Sequence, residues 1–193
     1  MRETDSNIAV LVSGNGSNLQ AILKQHSVSV VISDQPEAFA LQRAAKAGIP
    51  AFVFERQNFS SKSTFEAAII SKLREYRIEL ICLAGFMRII GNTLLEAFPK
   101  RIINIHPSLL PAFPGLNAVQ QALNAGAAHT GCTVHLVDEL MDHGPILMQA
   151  QVEIKPSDTH ATVLEKVHRE EHRIYPHVIA EILSGKIRLD EIS

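Results

Sequence analysis

Short apolar runs punctuate the first half of the chain. Ile8 to Val12 is wholly apolar, Val28 to Ile32 is a β-branched run, and Ala51 to Phe54, Leu80 to Ala84 and Ile102 to Ile105 are similarly short. Apolar runs of this length without strict polar alternation read as strands buried on both faces. Helical signals fall between them. Leu19 to Leu23 begins a helix after the turn Ser13-Gly14-Asn15-Gly16-Ser17-Asn18. Pro36 suits the first turn of the next helix, and Gly48 its end. Ser63-Thr64-Phe65-Glu66 has the capping-box form, so a helix is expected from there to about Tyr76. Strands alternating with helices predict a parallel sheet with right-handed crossovers.

The second half has a different texture. Asn117 to Asn124 reads as a helix ended by Gly126. Thr133 to Val137 and Ile146 to Ile154 are β-rich and separated by a polar loop, which predicts two antiparallel strands. Asp158 to Arg173 reads as a charged helix, and Pro176 to Leu183 as a second one stopped by Gly185. No repeat, low-complexity segment or linker interrupts the chain, so one domain over 1–193 is expected.

Composition narrows the class. The chain has 193 residues, 46% hydrophobic and 20% charged, the balance of an ordinary globular domain. A formal net charge of -2 offers no broad basic surface for nucleic acid. No apolar run approaches the roughly 18 residues that span a membrane. The polar start MRETDSN does not resemble a secretory signal. Cys82 and Cys132 lie far apart inside apolar runs and read as buried thiols of a reducing compartment. A cytoplasmic location is the expectation.

Two stretches carry candidate chemistry. In the glycine turn, the third glycine of the dinucleotide fingerprint is replaced by Leu19, and only Asp34 is placed to serve a ribose. The backbone N–H groups of Gly16, Ser17 and Asn18 at a helix start would still cradle a phosphate, and a plain tight turn is the competing reading. The Walker lysine pattern is absent. The second stretch is Asn104-Ile105-His106-Pro107. Residues two apart on a strand point to the same side, and Pro107 ends the ladder, so a carboxamide and an imidazole sit together at a strand mouth. Asp142, in Asp-x-Gly-Pro, is a candidate partner or a turn former. If it reaches His106 it favours the protonated ring. A cationic His beside an Asn donor can stabilise an oxyanion and protonate a leaving amine. Ser108 lacks a nucleophile elbow. His129, His135 and His143 are scattered without metal-ligand spacing, so no metal is expected.

These motifs carry a resemblance. The chain resembles the phosphoribosylglycinamide formyltransferase family of formyl-folate enzymes, nearly end to end. The marks are Val-Ser-Gly-Asn-Gly-Ser-Asn-Leu-Gln at 12–20, Leu-Ala-Gly-Phe-Met-Arg-Ile at 83–89 and Asn-Ile-His-Pro-Ser-Leu-Leu-Pro at 104–111. Gly-Cys-Thr-Val-His at 131–135, Asp-His-Gly-Pro-Ile at 142–146 and Glu-His-Arg-Ile-Tyr-Pro at 171–176 add to them. The resemblance implies an α/β, Rossmann-like, largely parallel sheet with helices on both faces and an antiparallel C-terminal extension. It implies transfer of a formyl group from 10-formyltetrahydrofolate to the amine of glycinamide ribonucleotide. It puts the phosphate on Gly16, Ser17 and Asn18, and Glu171 on the ribonucleotide. Met87, Arg88, Ile89 and Ile90 would line the folate site. Asn104 would hold the formyl oxygen, also contacting the folate, with His106 the proton donor and Asp142 its partner. Lys62 stands where the family often has Arg, and a lysine keeps the charge without the planar fork. A homodimer is left open.

Neighbouring readings differ in what they add. A formyltetrahydrofolate hydrolase carries an N-terminal regulatory domain, for which a first strand at Ile8 leaves no room. A transfer RNA formyltransferase carries a basic C-terminal domain. A non-catalytic module for a phosphorylated metabolite would need the glycine turn but not Asn104, His106 and Asp142 together.

Overall fold

A computed structural model describes residues 7–192. The polar segment 1–6, on which the reading of no secretory signal rests, and Ser193 lie outside the described residues. The fold is α/β, built on a mixed, mostly parallel sheet of seven strands in the order β3-β2-β1-β4-β5-β6-β7. The chain divides into two compact units, with the division between Ile103 and Asn104.

In the first unit β1 (Ile8–Val12) pairs in parallel with β2 (Val30–Ser33) and β4 (Leu80–Leu83), and β2 pairs in parallel with β3 (Ala51–Val53). Every residue of β1, β2 and β4 is buried, as their unbroken apolar runs require. Strand order runs outward from β1 in both directions, so the carboxyl ends of β1 and β4 form a topological switch point where ligands bind in folds of this kind. The helices are α1 (Ser17–Leu23), α2 (Phe39–Lys46), α3 (Lys62–Glu75) and α4 (Asn92–Ala97).

Three expectations for this unit need correction. Pro36 precedes α2 instead of opening it. Residues 33–38 are taken up by a turn in which Ser33 Oγ accepts from Gln35 N–H (3.0 Å) and Ala38 N–H bonds back to the Gln35 carbonyl (3.3 Å). The capping box of α3 begins at Ser61, which exchanges hydrogen bonds with Thr64. Glu66, assigned to that box by the sequence pattern, is instead buried, and its carboxylate accepts from Gly91 N–H (2.6 Å) and Leu94 N–H (3.2 Å). It thereby caps α4, a helix too short for periodicity to reveal.

The second unit contains the end of β5 (Ile102–His106), α5 (Ala118–Asn124), β6 (His129–Leu136), β7 (Ile146–Glu153) and α6 (His160–Leu183). The strands β6 and β7 are antiparallel, as their spacing predicted, with a register shift between Val134 and His135. The two helices expected on either side of Pro176 are one helix of 24 residues. A proline inside a helix costs about 3 kcal/mol. Val163, Val167, Ile174 and Val178 lie on the buried face of α6, which packs on β6 and β7. At roughly 1.5–3 kcal/mol for each fully buried side chain, that face outweighs the proline. Among the described residues no helix is long and apolar enough to cross a membrane.

Candidate active site

The polar cluster of the second unit grows from two strand ends. Asn104 and His106 stand two apart on β5, as the sequence implied, with Asn104 partly exposed and His106 only 6% exposed. Pro107 follows directly and turns the chain. Ser108 Oγ then donates to the Ala112 carbonyl (2.6 Å), and Thr133 Oγ on β6 donates to the Ser108 carbonyl (2.7 Å) while accepting from Leu110 N–H (3.1 Å). Gln149 of β7 donates to both the Leu110 carbonyl (2.8 Å) and Thr133 Oγ (2.9 Å). The proline-rich loop is therefore anchored from two neighbouring strands, and Ser108 is spent on that anchoring.

Asp142 reaches His106. Its Oδ2 lies 3.3 Å from His106 Nδ1 and accepts the Gly115 N–H at 2.8 Å. On the other side of the ring, His106 Nε2 donates to the Phe113 carbonyl at 3.0 Å. Acceptors thus stand at both ring nitrogens, an arrangement that an imidazolium with two N–H groups satisfies. Asp142 also occupies a left-handed turn, φ 54°. Asp142 therefore stands in a turn and within 3.3 Å of the His106 ring. Gly144 lets the loop come this close, because a Cβ there would stand 2.0 Å from the Leu136 carbonyl oxygen.

Asn104 takes a partner that sequence reasoning missed. Its Nδ2 lies 3.2 Å from Nε2 of His135, on the neighbouring strand β6. His135 is buried, and its Nδ1 donates to the Leu136 carbonyl at 2.7 Å. Burial pushes its pKa below the ordinary histidine value, outweighing the opposing pull of the Leu136 carbonyl and Asp142. The same alternation rule that singled out Asn104 and His106 puts Thr133 and His135 on one side of β6, and that was the available signal. Glu171 is buried on α6. Burial, and next the Glu171 carboxylate, push the buried free thiol of Cys132 up to about 12, consistent with an inert thiol.

The loops of the first unit gather at its switch point. Gly16 caps α1 at φ 74°, and a Cβ there would lie 2.6 Å from Ala40 Cβ, so both conformation and packing demand glycine. Arg43 holds the turn by donating to the Asn15 carbonyl (2.8 Å) and Asn15 Oδ1 (3.0 Å). Ser17 and Asn18 follow as the first residues of α1. Beside the turn is an open cleft of about 570 Å³ lined by Ser13, Gly14, Asn15, Gln35, Phe39 and Met87.

Asp34, weighed above as a ribose ligand, is occupied otherwise. It accepts from Ser13 Oγ (2.5 Å), Gln35 Nε2 (3.1 Å) and Arg88 Nε (2.6 Å). Ser13 Oγ in turn accepts Met87 N–H at 2.8 Å. This carboxylate ties together the loops that follow β1, β2 and β4. Met87 (66% exposed) and Ile89 (62%) project from the third of these, whereas Ile90 is buried. Lys62 is exposed at the start of α3, with its stem beside Gly91.

The formyl transferase family model matches residues 6–179. A phosphoribosylglycinamide formyltransferase of Bacillus subtilis is 50% identical over 182 residues, covering 91% of this chain and 93% of that protein. The chain belongs to the formyl transferase family. Its similarity to the phosphoribosylglycinamide branch extends to solved structures. The crystal structure of glycinamide ribonucleotide transformylase 1 from Symbiobacterium toebii superposes with a TM-score of 0.92 at 46% identity, covering 94% of this formyl transferase and 89% of that chain. A human relative, the trifunctional purine biosynthetic protein adenosine-3, is 41% identical over 95% of this chain but only 19% of its own length.

Proposed function

We propose that this formyl transferase moves the formyl group of 10-formyltetrahydrofolate to the amine of glycinamide ribonucleotide, a step of purine biosynthesis, and that residues 1–193 act as one catalytic domain. The observation that carries the reading is the placement of His106 within 3.3 Å of Asp142, on the same strand end as Asn104. The relatives' activity supports the choice of reaction.

In the proposed mechanism the amine nitrogen attacks the formyl carbon and forms the new N–C bond. The carbonyl π electrons move to oxygen, where an Asn104 N–H and the His106 imidazolium stabilise the charge. The C–N bond to the folate then breaks as the oxyanion collapses. His106 gives its proton to the departing folate nitrogen and takes up the proton that the attacking amine loses, with Asp142 holding the imidazolium in place. In this reading the substrate displaces the Phe113 carbonyl from His106 Nε2. The phosphate rests on the N–H groups of Gly16, Ser17 and Asn18, and Glu171 contacts the ribonucleotide. The exposed side chains of Met87 and Ile89, with Arg88, Ile90, Asn104 and Lys62, serve the folate. No metal enters the scheme.

The test is incubation with 10-formyltetrahydrofolate, with and without glycinamide ribonucleotide, following folate absorbance. Turnover only with the ribonucleotide is expected. Equal turnover without it would make the protein a hydrolase, and no turnover in either case would leave a binding module.

A further inference from the structure

His135 sits behind Asn104 with a hydrogen-bonding state that its neighbours dictate. A carbonyl oxygen only accepts, so the 2.7 Å contact with Leu136 requires hydrogen on Nδ1. The neutral ring then has a bare lone pair on Nε2, and the group facing that lone pair is Asn104 Nδ2 at 3.2 Å. A carboxamide can be turned by 180° with little change in shape, so a partner that only accepts is what fixes it. With Nδ2 toward His135, one of its two N–H bonds is taken and the other keeps a set direction. Turning the amide over would place Oδ1 against the Nε2 lone pair. A protonated His135 would instead point an N–H at the Asn104 amino group.

The surroundings favour the neutral ring. His135 is 2% exposed. Asp142 Oδ1 lies 3.8 Å from Nε2, beyond hydrogen-bond reach, and its charge favours protonation. Burial and the His106 ring oppose protonation, while Asp138 and the Leu136 carbonyl act with Asp142, and burial is the largest of these influences. The register shift between Val134 and His135 falls at this residue. Val134 pairs with Met148 but His135 with Ile146, so Leu147 is the extra residue on β7.

We propose that His135 is a positioning residue for formyl transfer: as its Nδ1–H tautomer it accepts a hydrogen bond from Asn104 and fixes which end of that carboxamide meets the formyl oxygen. The inference rests on the formyl-transfer reading of this site. Removing the acceptor with His135→Leu lets the carboxamide turn, and the transfer step slows.

The experiment has two arms on the full chain. The first records the ring nitrogen shifts of His135 by NMR in the unliganded protein, with His135→Gln used to assign them. A protonated Nδ1 and an unprotonated Nε2 at pH 7.5 are expected, and a protonated Nε2 overturns the proposal whatever the activity. This arm needs no turnover, so failure of the formyl-transfer reading is seen separately as wild-type protein that transfers nothing to glycinamide ribonucleotide. The second arm is kinetic. His135→Leu is expected to lower kcat by about five- to tenfold or more, the weight of one neutral hydrogen bond, with KM for both substrates little changed. His135→Gln, whose side-chain oxygen can accept from Asn104, is expected to recover most of that loss. In an Asn104→Ala background His135→Leu should cost nothing further. A loss that persists undiminished in that background, or one that His135→Gln does not relieve, overturns the positioning role in favour of a structural one.

Discussion

Replacing Asp142 with asparagine isolates the charge that faces His106. The side chains are nearly isosteric, and one oxygen serves both contacts, accepting Gly115 N–H at 2.8 Å and facing His106 Nδ1 at 3.3 Å. A carboxamide oxygen in that place keeps the loop where it is and removes the negative charge, and the amino group takes the Oδ1 place, 3.8 Å from His135 Nε2. At 3.3 Å and an effective permittivity of about 20, two unit charges attract by about 5 kcal/mol, an upper bound before desolvation is deducted. The net worth of a hydrogen bond to a charged group is about 1.5–3 kcal/mol. If that stabilisation is realised on the imidazolium that donates the proton, Asp142→Asn lowers kcat by roughly ten- to a hundredfold. Steady-state kinetics with both substrates, over a range of pH, measures it. Asp142→Ala serves as the control, because it also frees the Gly115 N–H and should raise KM through the loop. A kcat within twofold of wild type for Asp142→Asn, with the same pH profile, would refute the reasoning and leave Asp142 as a turn residue.

Further perturbations test other parts of the structure. Gly16→Ala is strained at φ 74° and drives a methyl group to 2.6 Å from Ala40 Cβ, so it should raise KM for the ribonucleotide and cost about 1–3 kcal/mol in urea unfolding; unchanged binding would detach the glycine turn from the phosphate. Glu66→Ala strands two backbone N–H groups at the start of α4 and should lower stability by about 2–5 kcal/mol, with Glu66→Gln losing less; a denaturation midpoint equal to wild type would contradict the capping role. Burial holds the pKa values of His135 and His168 below the ordinary 6.5, so the folded state resists protons that the unfolded chain takes up. Their stabilising contribution is complete above about pH 6.5 and is lost as pH falls toward the folded values. The Tm should therefore decline on acidification below that point, less steeply in His168→Gln, and an equal slope in the variant would count against it.

Elements whose signals are local were legible in the sequence. The run Ile8–Val12 is β1 to the residue, and the antiparallel pairing of β6 with β7 followed from their spacing. His106 could be nominated because Pro107 follows it directly, and Asp142 because Gly144 and Pro145 lie just beyond it, before β7 begins. What escaped depends on partners distant in sequence. Glu66 looked like a local cap, yet its acceptors serve backbone groups 25 and 28 residues away. His135 was set aside as a scattered histidine, since its meaning comes from Asn104 on the adjacent strand, 31 residues earlier. Asp34 could be weighed for a ribose because nothing local shows that Ser13 and Arg88 already occupy it. Pro176 reads as a helix boundary from its backbone chemistry, and only the buried face of α6 decides otherwise.

The most direct measurement is the single-turnover rate of formyl transfer by His106→Ala beside wild type, together with the affinity of each for glycinamide ribonucleotide. Removal of the proton donor and oxyanion partner should slow transfer by about a hundredfold or more while affinity stays within roughly threefold. Transfer at a near wild-type rate by that variant would contradict the account.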